Sequence, residues 1–196
     1  MSTPTRQRKR GHDPESVLAI AVGVFNERGY DGTSMEDLAR ALGVTKSAIY
    51  YHVPGKEQLL ARALDRALDG LFTLIGDERA TSGPAIDRLE WVVRQCVRTL
   101  VDRLPYVTLL LRVRGNSATE QGALDRRREF DAFVHHLVGQ AAAEGGIRPD
   151  LDPALVTKLL FGAVSSIAEW DRPASGGSAD DLADMLVTMM FDGLRG

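Results

Sequence analysis

The sequence predicts an all-α protein of about nine helices. Three observations lead there. Apolar residues recur at helical spacing through almost the whole chain. Alternating or β-branched runs that would read as strands are nearly absent. Gly, Pro, Ser, Thr and Asp stand where helices would start or stop.

The elements follow in order. In "PESVLAIAVGVFNERG" the apolar positions 17, 18, 20, 21, 24 and 25 share one helical face, with Pro14 early and Gly29 as the stop. A first helix over about 14–28 results. After the turn "YDGT", Ser34 reads as an N-cap with Asp37 three residues on, a capping-box-like pair. The second helix is "MEDLARAL", stopped at Gly43. Thr45 caps a third, "KSAIYYH". "VPGK" breaks the chain, and a fourth helix runs from about Lys56 towards Ile75. A fifth is expected from about Pro84 to Arg103, then a short apolar sixth in "LPYVTLLLRVRG" closed by Gly115. A long amphipathic seventh ends at Gly145 and Gly146. The eighth begins near residue 153 and is closed by Pro173; after "ASGGS" comes the ninth, opened by acids as the helix dipole favours.

Bulk properties limit the function classes. The 196 residues are 44% hydrophobic, enough for a sizeable core. The net charge of -3 rules out a basic molecule overall, but the charge is uneven. Residues 1–66 hold 10 Lys+Arg against 8 Asp+Glu, and residues 67–196 hold 14 against 19. Arg6, Arg8, Lys9 and Arg10 form a basic arm over 1–12 before the first acid, either a polyanion contact or a solubilising tail. The single cysteine, Cys96, cannot form a disulfide within the chain, which suits a reducing cytoplasm. No apolar run approaches the roughly 18 residues of a membrane span, and no apolar stretch follows the basic N-terminus as in a signal peptide. A cytoplasmic protein with no membrane association is expected.

The second and third helices are short, and "LGVT" joins them. That is a helix-turn-helix pattern. Leu38, Ala39, Leu42, Val44, Ala48 and Ile49 sit where two crossing helices would touch. Lys46, Ser47, Tyr50, Tyr51 and His52 are left facing outward. In such a motif the second helix enters the DNA major groove by its N-terminal part. Lys46 suits a phosphate or a guanine edge. Thr45 and Ser47 can donate to phosphates or base edges, and the tyrosines offer hydroxyls to phosphates and rings to sugars or thymine methyls. His52 and Lys56 follow at the start of the fourth helix, where backbone N–H groups favour an anion. The expected DNA-contacting set is Thr33, Ser34, Thr45, Lys46, Ser47, Ala48, Tyr50, Tyr51, His52 and Lys56.

This stretch resembles the DNA-binding domain of the TetR family of bacterial repressors. The carrying residues are Phe25, Gly29, Tyr30, Thr33, Ser34, Met35, Leu38, Ala39, Gly43, Val44, Thr45, Ile49, Tyr50, His52, Val53, Lys56 and Leu59. Pro54-Gly55 departs from the Lys-x-Lys or Ser-Lys more usual there, but Lys56 keeps its place. The resemblance implies a TetR-like fold: a helix-turn-helix domain over 13–58, then an effector-binding and dimerisation domain over 59–196. It also implies that the last two helices build a four-helix bundle with a second subunit. The sequence accommodates this, with Leu155, Leu159, Leu160, Ala163, Val164 and Ile167 on one helix and Leu182, Met185, Leu186, Met189, Met190 and Phe191 on the other. The implied function is a homodimeric repressor on a palindromic operator, released by a small apolar effector.

"EGGIRPDLDPALVTKLLFGAVSSIAEWDRP" further resembles the tail of TetR-type regulators that respond to acyl-CoA thioesters of fatty-acid, aromatic-acid or sterol breakdown, through Gly146, Arg148, Asp150, Leu151, Asp152, Trp170 and Pro173. Such a ligand needs an apolar cavity with cations at its mouth. Trp91, Leu110, Phe130, Phe133, Phe161, Ser165 and Trp170 are candidate lining; Arg112, Arg114 and the run Arg126-Arg127-Arg128 are candidate charges. Ordinary core packing and a solvated face are the plainer readings of each. A drug-type apolar ligand controlling an efflux or catabolic gene is the alternative effector, and a ligand-binding protein that has lost DNA binding the alternative function. Neither a metal-ligand cluster nor a nucleophile motif is visible, and adjacent His135 and His136 point about 100° apart on a helix. No enzyme activity, metal or cofactor is expected.

Overall fold

The computed structural model describes residues 13–169 and 178–195. The basic arm over 1–12, Trp170 and Pro173 lie outside the described residues. Those residues form ten α-helices and one 3-10 turn, with no strand among them. In order they are α1 Pro14–Arg28, α2 Met35–Leu42, α3 Lys46–His52, α4 Lys56–Ile75, α5 Glu78–Thr81, α6 Ala85–Asp102, α7 Leu104–Arg112, α8 Ala118–Ala143, α9 Pro153–Ser166, the 3-10 turn Ile167–Glu169, and α10 Ala179–Leu194. The additions to expectation are α5 and the 3-10 turn. One turn of helix has no periodicity to read, and α5 forms because the Asp77 carboxylate accepts from the Arg79 backbone N–H at 2.9 Å.

The chain divides into two compact units between Arg62 and Ala63, within α4. The first is a three-helix cluster followed by the start of α4. Its core is Val17, Leu18, Ala21, Val22 and Phe25 of α1, Leu38, Ala39 and Leu42 of α2, and Ile49 of α3, all buried. Burying each larger aliphatic or aromatic side chain is worth roughly 1.5–3 kcal/mol. Local chemistry sets each helix end. Ser34 and Asp37 form a reciprocal capping box at the start of α2. Gly43 ends α2 in the left-handed region, at φ 64° and ψ 29°. Its N–H donates to Arg40 O, and the Val44 N–H to Ala39 O at 3.0 Å. That pair of bonds is the Schellman motif, and it makes the turn between α2 and α3 tight. Thr45 then caps α3, its hydroxyl accepting from the Ala48 N–H at 3.2 Å.

In the second unit α6 is the central helix, packed on by α5, α7, α8, α9 and α10. Leu89, Val92, Val93, Cys96, Val97 and Leu100 give it a buried face. Ionic contacts fix the helices around it. Arg94 pairs with Asp184 and Arg98 with Asp180, both from α6 to α10. Arg195 pairs with Glu90 at 2.6 Å. Arg126 of α8 reaches Asp65 and Asp69 of α4, each at 2.9 Å.

Candidate nucleic-acid interface and effector cavity

The first unit presents α3 to solvent. Lys46 and Ser47 at its start are exposed, Tyr50 is 47% exposed and Tyr51 90%. Ile49 turns inward and is fully buried, and Ala48 is half-buried between the two faces. Two tyrosines and a lysine on seven residues of helix form a surface of phenol hydroxyls, aromatic rings and one ammonium. Those groups match phosphate oxygens, sugars and base edges. Thr45 is exposed; its oxygen takes the Ala48 N–H, so its own hydrogen is left for an acceptor. His52 is the last residue of α3, and its side chain lies outside what the structure describes.

Three other members of the expected set are placed differently. Thr33 is 2% exposed, and its hydroxyl donates to Gly29 O at 2.7 Å. It is a packing and turn residue whose side chain is buried in the free protein. Ser34 is exposed, but its hydroxyl is committed to Asp37. Lys56 is half-buried, and its ammonium donates to Tyr30 O and Thr33 O, each at 2.9 Å, and more weakly to Asp31 O at 3.5 Å. This charge holds together the turn between α1 and α2, a structural role that the expectation of a phosphate contact did not include. Sequence spacing placed these residues near the head but could not tell a turn clamp from a DNA contact.

Electrostatics reinforce the same frame. The Asp37 carboxyl is held below its ordinary value by the Ser34 hydroxyl first, then the Ser34 N–H, then Arg28 and Arg40. Its ion-pair distances to those arginines are 3.2 and 3.0 Å. One carboxylate thus caps α2, ties α1 to α2, and neutralises part of the local positive charge.

The second unit holds a cavity of about 70 Å³ between α6, α7, α8 and α9, with Leu71 of α4 also in its wall. Of the expected lining residues, Leu110, Phe130, Phe161 and Ser165 bound it. Trp91 does not: the Arg79 guanidinium covers its ring at 4.7 Å. Phe133 packs 6.4 Å from Phe130, off the wall, and Arg112 is off it too. Among the candidate charges, Arg126 is bound to Asp65 and Asp69, and Arg128 to Asp125; Arg127 is the one that borders the cavity. Sequence reasoning did not pick out Val92, Val93, Cys96, Val107, Asp131 and Val134 as lining. Their periodicity marks most of them as core, and periodicity does not show where a core leaves a gap. Burial raises the Asp131 carboxyl, which Arg127 partly offsets. Burial first, and the Asp131 charge second, push the Cys96 thiol up to about 12.

A shallower groove between α8 and α9, of about 510 Å³, shares Arg127, Asp131 and Phe161 with this cavity. Among the described residues no group of His, Cys, Asp and Glu could hold a metal ion, and no helix is long and apolar enough to cross a membrane.

Comparison with known proteins bears on both sites. Residues 17–63 match the family described as bacterial regulatory proteins, tetR family, and residues 82–194 match the tetracyclin repressor-like C-terminal domain. The HTH-type transcriptional repressor KstR2 of Mycobacterium tuberculosis (strain ATCC 25618 / H37Rv) is 23% identical over 181 residues, 91% of this chain and 90% of that protein. The crystal structure of SCO3833, a member of the TetR transcriptional regulator family from Streptomyces coelicolor A3, has 54% identity and a TM-score of 0.86, covering 95% of this chain and 94% of that one. AibR, solved in complex with isovaleryl coenzyme A and operator DNA, has 27% identity and a TM-score of 0.75 over 91% of this chain and 97% of its own.

Proposed function

The chain belongs to the TetR family of bacterial transcriptional regulators and is not an enzyme, and from that premise we propose a homodimeric repressor that leaves a palindromic operator when a small apolar effector binds. The observation that carries the DNA half is the exposed face of α3. Lys46, Ser47, Tyr50 and Tyr51 project from a helix whose frame is capped at Thr45 and seated by buried Ile49. We assign major-groove contact to these side chains with Thr45. Palindromic recognition needs two such heads, and the second half-site comes from a second copy of the chain.

The dimer surface we propose is on α9 and α10. Leu155 and Leu159 of α9 are 54% and 60% exposed, and Met185 and Met189 of α10 are each 71% exposed. Each pair is four residues apart and so shares one helix face. Large apolar side chains grouped in this way mark an association surface.

The effector site we propose is the apolar cavity of the second unit. At about 70 Å³ it is far smaller than the roughly 300–1,000 Å³ of a typical ligand pocket. A ligand must therefore open it, and opening selects a second conformation. If the operator favours the closed form and the ligand the open one, each weakens the other by the same factor. Acyl-CoA thioesters are the ligand class we favour, supported by the coenzyme A ester named in the AibR complex. A thermal-shift screen of the purified protein against acyl-CoAs and the matching free acids tests this, followed by operator release with any hit. A thioester that raises Tm by several degrees and frees the operator is the expected result. No shift with any thioester would sink the acyl-CoA assignment and leave the DNA-binding half intact.

A further inference from the structure

We propose that the effector carries a phosphate-ester head, and that the groove lined by Arg127, His135 and Lys158 holds this head while an apolar tail enters the inner cavity. The inference rests on the effector reading above and adds a second subsite to it.

The two spaces differ in kind. The inner cavity is small and walled mainly by aliphatic and aromatic side chains. The outer groove is open, has the volume of a nucleotide-sized pocket, and adds the polar groups of Arg127, Asp131, His135, Thr157 and Lys158 to a lining that is otherwise apolar. Arg127, Asp131 and Phe161 line both, so the two spaces lie against each other and a ligand joins them by displacing these shared side chains. That is the arrangement a molecule with one apolar end and one charged end requires.

The charges favour an anion at the outer end. Arg127 and Lys158 bring two cations against the one carboxylate of the lining, Asp131. The arginines on either side of Arg127 are held elsewhere, Arg126 by Asp65 and Asp69 and Arg128 by Asp125. Arg127 faces the half-buried Asp131, a partner that burial already disfavours as an anion. A phosphate offers a guanidinium two oxygens at once and competes well for it. His135 is held by one ring nitrogen. The Thr157 hydroxyl donates to Pro153 O at 2.9 Å, so its oxygen can accept from His135 Nδ1 at 3.4 Å. In that tautomer Nε2 is an acceptor, suited to a hydroxyl of the ligand head rather than to a phosphate oxygen. Lys158 is exposed, as a group meeting a solvated phosphate should be.

The test uses calorimetry on the full-length protein. For a short branched, a medium straight and a cyclic acyl group, the coenzyme A thioester is compared with the pantetheine thioester, which lacks the phosphates of the nucleotide end. Free coenzyme A is the third probe. At least one acyl-CoA should bind about tenfold or more tightly than its pantetheine counterpart. Lys158→Glu, an exposed change that leaves the core alone, should cut that advantage to about threefold or less. Equal affinity for the two thioesters in the wild type would overturn the phosphate groove and leave the apolar-effector reading standing. A coenzyme A advantage that stays above about threefold in Lys158→Glu would overturn this placement of the head. Free coenzyme A binding as tightly as any thioester would keep the groove and remove the cavity from the effector site. No binding of any thioester would remove both.

Discussion

Lys56 is tied to Tyr30 twice. Its ammonium donates to the Tyr30 carbonyl at 2.9 Å and lies 4.4 Å from the centre of the Tyr30 ring. Tyr30 in turn packs edge-on against buried Phe25, with ring centroids 5.3 Å apart. The first residue of α4 thus holds the turn that follows α1. Lys56→Met keeps the stem and removes the charge, leaving carbonyls without a donor. The expected cost is about 1–3 kcal/mol of stability, read by urea unfolding. Operator affinity should fall with it. An unchanged unfolding midpoint with weakened operator binding would instead return Lys56 to the DNA contacts.

Lys46→Ala and Tyr50→Ala should weaken operator binding with the unfolding midpoint nearly unchanged, because both side chains are exposed. The two should differ in kind. A phosphate contact at Lys46 predicts a salt slope shallower by about one and a loss shared by all sequences. Tyr50→Ala should leave most of that slope in place. Fluorescence anisotropy across a salt series separates them.

Asp37 sets an acid limit on the head. Its folded-state carboxyl titrates below its ordinary value of 3.8, so the unfolded chain binds more protons than the folded one in that window. The contribution is full above the unfolded value and disappears as pH falls through the folded one. Asp37→Asn should flatten the loss of stability below about pH 4 while lowering stability at neutral pH. Ser34→Ala, which removes the cap itself, should cost about 1 kcal/mol at neutral pH. Thermal unfolding of both variants between pH 3 and 7 checks the pair.

Leu159→Glu combined with Met185→Glu places two charges on the proposed dimer surface. Both positions are solvent-exposed, so each subunit should still fold. Sedimentation should show a monomer in place of a dimer, and operator affinity should drop by orders of magnitude as half-sites are bound singly. A variant that stays dimeric would move the interface off these two faces.

Much of this was legible in the residues. The helix-turn-helix read clearly because several local signals agree: a capping box at Ser34 and Asp37, a left-handed glycine at Gly43, a threonine cap at Thr45 and small residues at Ala39 and Ala48. Each is set within a few residues, so sequence order suffices. The cavity was legible only in part. Leu110, Phe130, Phe161 and Ser165 face it, while Trp91 and Phe133 do not. All six fit a helical pattern, and which ones border a void depends on how five helices meet. Lys56 shows the same limit from the other side. Its position pointed to the head, but its partners are carbonyls 23 and 26 residues away. No local rule reads a contact of that separation.

Cys96 turns the cavity into something that can be timed. Burial pushes the Cys96 thiol up, so it stays protonated and unreactive at pH 7 while the wall is closed. Alkylation then waits for the moments when water reaches the sulfur. At saturating reagent the labelling rate is the opening rate of the wall, and at low reagent it follows the open fraction. Since Cys96 is the chain's one cysteine, the signal needs no engineering. An effector that fills the space should slow the reaction by shielding the thiol. A ligand that merely props the wall apart should speed it. The sign of that change distinguishes occupancy of the cavity from binding beside it.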